Sequence, residues 1–284
     1  MLPPTTPTLL TDDLLTAPMP LHIDRRGSGL PLLVLPSFGF DSGALAAVVE
    51  PVFGPDGDTG WDRRYVDLPG TGRSRPVEPR SDAVLEAVAQ TVTEEVGDRP
   101  FAVAGWSYGG YLAAGLARRL PGQVAGLLLV CTGFRIRPED RDLTGVLGSV
   151  PETGWLGQAP AHLREHFASA VGLQTADVVR RLVEVLALNR PADDDYLAAL
   201  RRDGFPLSDE DSPTVLDGPV SFLTGRRDRL AGFRGLFAAL GSFPNADYVA
   251  AADAGHYLPV ETPELFAATT RRWLDRCRPN LSGG

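Results

Sequence analysis

Phe101-Ala-Val-Ala-Gly-Trp-Ser-Tyr-Gly-Gly110 is the stretch from which the rest of the chain can be placed. A short apolar run, Phe101 to Ala104, ends in Gly105, and Tyr111 to Leu120, rich in alanine and leucine, reads as a helix. The order is therefore strand, sharp turn, helix. At the turn stands Gly105-x-Ser107-x-Gly109, whose small residues let the backbone bend tightly enough to hold a serine Oγ clear of a sheet. Ser107 is the candidate nucleophile.

The same alternation extends in both directions. Upstream, Leu21 to Ile23, Leu32 to Leu35 and Trp61 to Val66 read as strands, the second wholly apolar as a strand buried on both faces should be. Helices are expected from about Gly43 to Glu50 and over Asp82 to Val96, the latter with Ser81 as N-cap and Gly97 as stop. Downstream, Pro121-Gly122 breaks the chain and Val124 to Cys131 is the most apolar strand. From Gly133 to Pro213 the strand pattern disappears, and four helices are expected at about 139–149, 160–171, 175–189 and 192–202. Val220 to Leu223 then resumes as strand, followed by a helix at Phe233 to Leu240, a strand at Ala246 to Ala250 and a closing helix at Pro263 to Cys277. This predicts an α/β fold with a mostly parallel sheet and an all-helical insertion. The proline-rich first twenty residues read as an irregular arm.

Composition narrows the chemistry. All 27 basic residues are arginine, so a Schiff-base lysine, a P-loop lysine and a Ser-Lys dyad are excluded. The net charge of −9, with no clustered basic stretch, argues against a nucleic-acid partner. Gly70-Thr-Gly72 lacks the third glycine of a dinucleotide fingerprint, and Pro76 interrupts any helix after it. Cys131 and Cys277 lie far apart and read as free thiols. The first twenty residues show no secretory pattern, and no apolar run is long enough to span a membrane. A cytoplasmic protein, monomer or homodimer, acting on a small molecule is expected.

A serine attacks only if a base takes its proton, and histidine suits that role near neutral pH. Of the four histidines, His22 lies in an early strand and His162 and His166 in the insertion. His256 follows the last strand, on the same carboxyl edge as Ser107 in a parallel sheet. It is the candidate base. Asp228, just after the penultimate strand, is the candidate to orient it, with Asp253 as rival; three residues before His256, Asp253 is better placed to shape the turn. The loop Pro36-Ser-Phe-Gly-Phe-Asp-Ser42, after a central strand, has Phe38 or Gly39 to offer a backbone N–H to the same site.

Four ordered stretches resemble the α/β-hydrolase superfamily over nearly the whole chain: Gly105 to Gly110, Asp67 to Ser74, Thr224 to Asp228, and Ala254 to Glu261. The resemblance implies a core formed by residues 1–132 and 214–284 and a helical cap, 133–213, with the site between them. It also implies Phe38 and Tyr108 N–H groups as an oxyanion hole. Pro36-Ser37 stand where family members commonly carry His-Gly. The reaction so implied is serine-dependent hydrolysis of a carboxylic ester or thioester through an acyl-enzyme, without cofactor or metal. A proline iminopeptidase-like amide hydrolase, an acyl transferase or cyclase of natural-product assembly, and a ligand-binding protein without turnover are the alternatives. Epoxide hydrolase and haloalkane dehalogenase chemistry is disfavoured, because those reactions use a carboxylate where this chain has Ser107.

Trp106, Trp155 and His166 are candidate substrate contacts. His162-Leu-Arg-Glu-His166 also fits a short zinc pattern, with Glu184 as a conceivable third ligand, but the expected reading is no metal.

Overall fold

Leu32 and Val34 pack into one core and Leu33 and Leu35 into another, which the two-residue period of a strand requires of a run buried on both faces. They belong to β2 (Leu30–Leu35) in a computed structural model that describes residues 20–55 and 60–281. The other strands are β1 (Ile23–Arg26), β3 (Trp61–Val66), β4 (Phe101–Trp106), β5 (Val124–Val130), β6 (Val220–Gly225) and β7 (Ala246–Ala251). Among the described residues they form one sheet in the order β1-β3-β2-β4-β5-β6-β7. β1 is antiparallel to β3 and every other pair is parallel.

The helices cover both faces. α1 (Ser42–Val49) and α9 (Pro263–Leu281) bury Leu45, Trp273 and Leu274 against Leu32, Val34 and Leu128. α2 (Ser81–Val96) and α3 (Tyr108–Arg119) bury Leu85, Val88 and Leu112 against Leu33, Val103 and Leu127. Each such side chain removed from water contributes about 1.5–3 kcal/mol. Cys131 and Cys277 are free thiols buried within these cores.

The expected strands and helices appear within a few residues of their sequence positions, with two exceptions. Arg80, in an extended conformation, is the residue before α2, and Ser81 is already helical. The Ser81 hydroxyl turns inward, donating to Phe205 O at 2.6 Å and meeting the Tyr108 hydroxyl at 2.8 Å. The helix expected at 139–149 does not form. Only a short turn at Pro138–Asp140 is helical, because Arg141 is stapled to Ile136 O and Leu230 O and the Asp142 carboxylate takes the Thr144 N–H. The arm expected over the first twenty residues lies, apart from Pro20, outside the described residues.

Between β5 and β6 the remaining insertion helices are α4 (Arg164–Ala170), α5 (Ala176–Leu186) and α6 (Asp194–Asp203). Thr175 and Asp193 cap the last two by accepting from Val178 N and Tyr196 N. Phe167, Val178 and Leu182 join the core under α1 and α9, whereas Tyr196 and Leu200 join the other. The backbone also bridges. Arg190 N donates to Asp41, Asp193 N to Gly70 O, and His256 N to Ala170 O. These contacts reach the loops after β2, β3 and β7, so the insertion lies across the carboxyl edge of the sheet. α7 (Arg234–Ala239) and the short α8 (Leu258–Glu261) complete the described α-helices.

Candidate active site

Ser107 sits between β4 and α3 with φ of 55°, a left-handed conformation that few non-glycine residues adopt. Its N–H donates to Val130 O at 2.8 Å and so ties the turn to β5. The flanking glycines are a steric necessity. A Cβ on Gly105 would lie 2.2 Å from Gly109 O, and one on Gly109 would lie 2.3 Å from Leu35 O. No side chain fits at either position without opening the turn.

The loops after β6 and β7 bring two further groups to this turn. His256 Nε2 lies 2.8 Å from Ser107 Oγ, and His256 Nδ1 lies 2.9 Å from Asp228 Oδ2. Asp228 is fully buried, and its other oxygen accepts the Leu230 and Ala231 N–H groups at 2.8 and 2.9 Å. With Nδ1–H donating to the carboxylate, Nε2 is left to accept the serine proton. Asp253 is exposed, and His22 bonds to Arg73. Neither joins the chain.

Two acidic residues hold the loop after β2. Asp67 accepts Ser42 N at 2.6 Å and Arg73 N at 2.8 Å. Asp41 accepts Ala44 N and, from the insertion, Arg190 N. Pro36 O lies beside Gly109, so this loop rests directly on the serine turn. The backbone N–H groups of Phe38 and Tyr108 have no protein acceptor among the described residues, and Tyr108 N–H belongs to the positive end of α3.

Ser107, His256, Phe38 and Tyr108 line one cavity of about 360 Å³. His166 lines it as well, with Nε2 2.8 Å from the Tyr257 hydroxyl. Burial, reinforced by the charges of His256 and Arg201, lowers the His166 pKa. Trp106 and Trp155 are not on the cavity wall. The Trp106 indole donates to His256 O at 3.0 Å and packs edge-on against Phe40 and Tyr257. Trp155 is buried in the core under α1 and α9. Both face inward, where a large apolar ring is best covered. His162 and Glu184 are exposed, Glu184 paired with Arg180, and they do not converge with His166. No metal-ligating cluster occurs among the described residues.

Sequence reasoning passed over four residues. Arg135, Arg141 and Arg201 line the cavity; their only signal was membership of an arginine-rich insertion. The fourth is Glu261, which is buried and accepts four backbone N–H groups: Gly172, Leu173, Gly255 and Tyr257. It joins the insertion to the histidine loop. Burial pushes its carboxyl up to about 7, with three of those amide bonds pulling the other way. Glu261→Ala would strand those amides, each costing about 1–3 kcal/mol when buried without a partner. Its unfolding free energy, from a urea titration, is expected to fall by at least about 3 kcal/mol; an unchanged midpoint would show that the latch carries no stability.

A family model described as "Alpha/beta hydrolase family" matches residues 32–269. A pimeloyl-[acyl-carrier protein] methyl ester esterase of Xanthomonas oryzae pv. oryzae is 31% identical, covering 83% of this chain and 91% of the relative. The enzyme of that name from Methylococcus capsulatus is 29% identical, over 75% of this chain and 82% of its own. An alpha/beta superfamily hydrolase from Oenococcus oeni superposes with a TM-score of 0.82 at 24% identity, covering 91% of this chain and 96% of that one. A thermophilic esterase from Thermogutta terrifontis gives 0.68 at 21%, over 90% and 93%. At these identities the two structures speak to fold alone, whereas the family match spans most of the sequence. The chain therefore belongs to the alpha/beta hydrolase family.

Proposed function

We propose that this serine ester hydrolase cleaves carboxylic esters of small to medium acids, with Ser107 as nucleophile, His256 as general base and acid, and Asp228 as its orienting partner. Ser107 Oγ attacks the ester carbonyl while His256 Nε2 takes the hydroxyl proton. The carbonyl oxygen becomes an oxyanion received by the Phe38 and Tyr108 N–H groups. Its collapse breaks the bond to the alcohol, which leaves with the proton from His256. Water then repeats the sequence on the acyl-serine and releases the acid. Residues 133–213 act as the cap over a core of 1–132 and 214–284.

The observation that carries this reading is the chain Asp228–His256–Ser107, with contacts of 2.9 and 2.8 Å, opening on a cavity beside two backbone donors without partners among the described residues. Relatives named as methyl ester esterases support the ester class. A fluorophosphonate is expected to form a stoichiometric adduct on the peptide bearing Ser107. A chain-length series of nitrophenyl esters is expected to show a maximum set by the cavity of about 360 Å³. An enzyme that neither labels nor turns over any member of the series would sink the assignment.

A further inference from the structure

The cavity wall is unusually charged for an acidic protein. Arg135, Arg141 and Arg201 line it and, among the described residues, no aspartate or glutamate does. Arg135 is neutralised by Asp140 and Asp211. Among the described residues the other two have no carboxylate in ion-pair contact. Arg201 lies over the Phe38 ring at 4.4 Å, while its helix neighbour Arg202 takes Asp203. Arg141 gives its terminal nitrogens to Leu230 O and Ile136 O at 2.8 and 2.7 Å. Its flanking acids are engaged elsewhere, Asp140 with Arg135 and Asp142 with Arg234.

Arg141 is half-buried and Arg201 reaches solvent, and two guanidinium groups with no carboxylate in ion-pair contact give this wall a positive face that an incoming anion can meet. Burial lowers the pKa of both; at Arg141 the Asp228 and Glu139 charges pull the other way and the Arg201 charge adds to the lowering. Elsewhere in the chain arginines find acids readily: Arg118 takes Asp209, Arg119 takes Glu86 and Arg276 takes Asp247. The planar fork of arginine fits a carboxylate or a phosphate.

We propose that the substrate carries, besides its ester, a separate anionic group, carboxylate or phosphate, which Arg201 and Arg141 bind while Ser107 engages the ester carbonyl. This deepens the esterase reading and rests on it for the role of Ser107. Ser107 and Tyr108 share the cavity with Arg201, and Phe38 touches it directly, so one extended molecule can meet both ends. The selectivity is thus for half-esters and charged esters over neutral ones of equal length.

The test measures binding separately from turnover. Ser107→Ala protein is titrated calorimetrically with neutral dimethyl adipate and three charged probes: methyl hydrogen adipate, methyl 5-(phosphonooxy)pentanoate and 4-acetoxybutyrate. At least one charged probe is expected to bind about tenfold tighter than the neutral diester or better, as a charge-assisted bond allows. The first and second distinguish carboxylate from phosphate, and the third places the charge on the alcohol side. Adding Arg201→Gln is expected to erase most of that preference, Arg201→Lys to restore part of it, and Arg202→Gln, on the same helix but off the cavity wall and paired with Asp203, to leave it intact. Equal binding of all four probes, or a preference that survives Arg201→Gln, overturns the proposal. Wild-type turnover of dimethyl adipate, measured in parallel, reports on the esterase reading. Turnover with no charge preference leaves the esterase standing and removes the anion site; charge preference without turnover of any probe does the reverse.

Discussion

Ser107→Ala is expected to lower kcat for nitrophenyl ester hydrolysis by about 10⁴-fold or more, the loss found when a nucleophile acting as one unit with its base is removed. No neighbouring group can substitute. Cys131, which also lines the cavity, has its thiol held well above the usual pKa range by burial, so it remains a poor nucleophile. The fold should not suffer, because alanine and serine tolerate the 55° φ at this turn almost equally. Steady-state rates and a melting curve on the same preparation check both statements. A variant that keeps a hundredth of the activity with an intact fold would assign the attack to another group.

Asp228→Asn is expected to cost nearly as much, about 10³–10⁴-fold in kcat, although it changes one oxygen to nitrogen. The reason lies in the far side of the carboxylate. Oδ1 accepts the Leu230 and Ala231 N–H groups, and an asparagine must keep its oxygen there, since turning the NH₂ toward two donors would leave all of them unpaired. The amide NH₂ is then forced to face His256 Nδ1, at the contact of 2.9 Å in the native protein. That nitrogen must become an acceptor, so the ring proton moves to Nε2, where it meets the Ser107 hydroxyl and cannot remove its proton. A large fall in kcat with little change in KM is the expected signature. A loss of less than about tenfold would show that His256 holds its tautomer without help.

Much of this site was legible because its parts are local in sequence. Gly105, Ser107 and Gly109 announce their turn by the close approach that only glycine permits, and His256 and Asp228 each follow an apolar strand that fixes their edge of the sheet. Ser81 was misplaced because its hydroxyl answers to Phe205, far along the chain, rather than to its own helix. The segment 139–149 carries no local sign that Arg141 would be held by Leu230 O from another loop. Trp106 was misjudged because position next to the nucleophile says nothing about which way a side chain faces; the strand period turns it to the core. Glu261 and the cavity arginines act only through partners from distant loops, which no window of sequence displays.

Packing at Gly109 has a consequence for motion. The turn bearing Ser107 and the loop bearing Phe38 touch backbone to backbone, at the carbonyls of Leu35 and Pro36. The proposed nucleophile and its proposed amide donors are thus joined by one close backbone contact that favours a fixed relative placement. In the proposed reaction the charge developing on the carbonyl meets dipoles already in place, so the temperature dependence of turnover should report the bond-breaking barrier with little added from rearranging the donors.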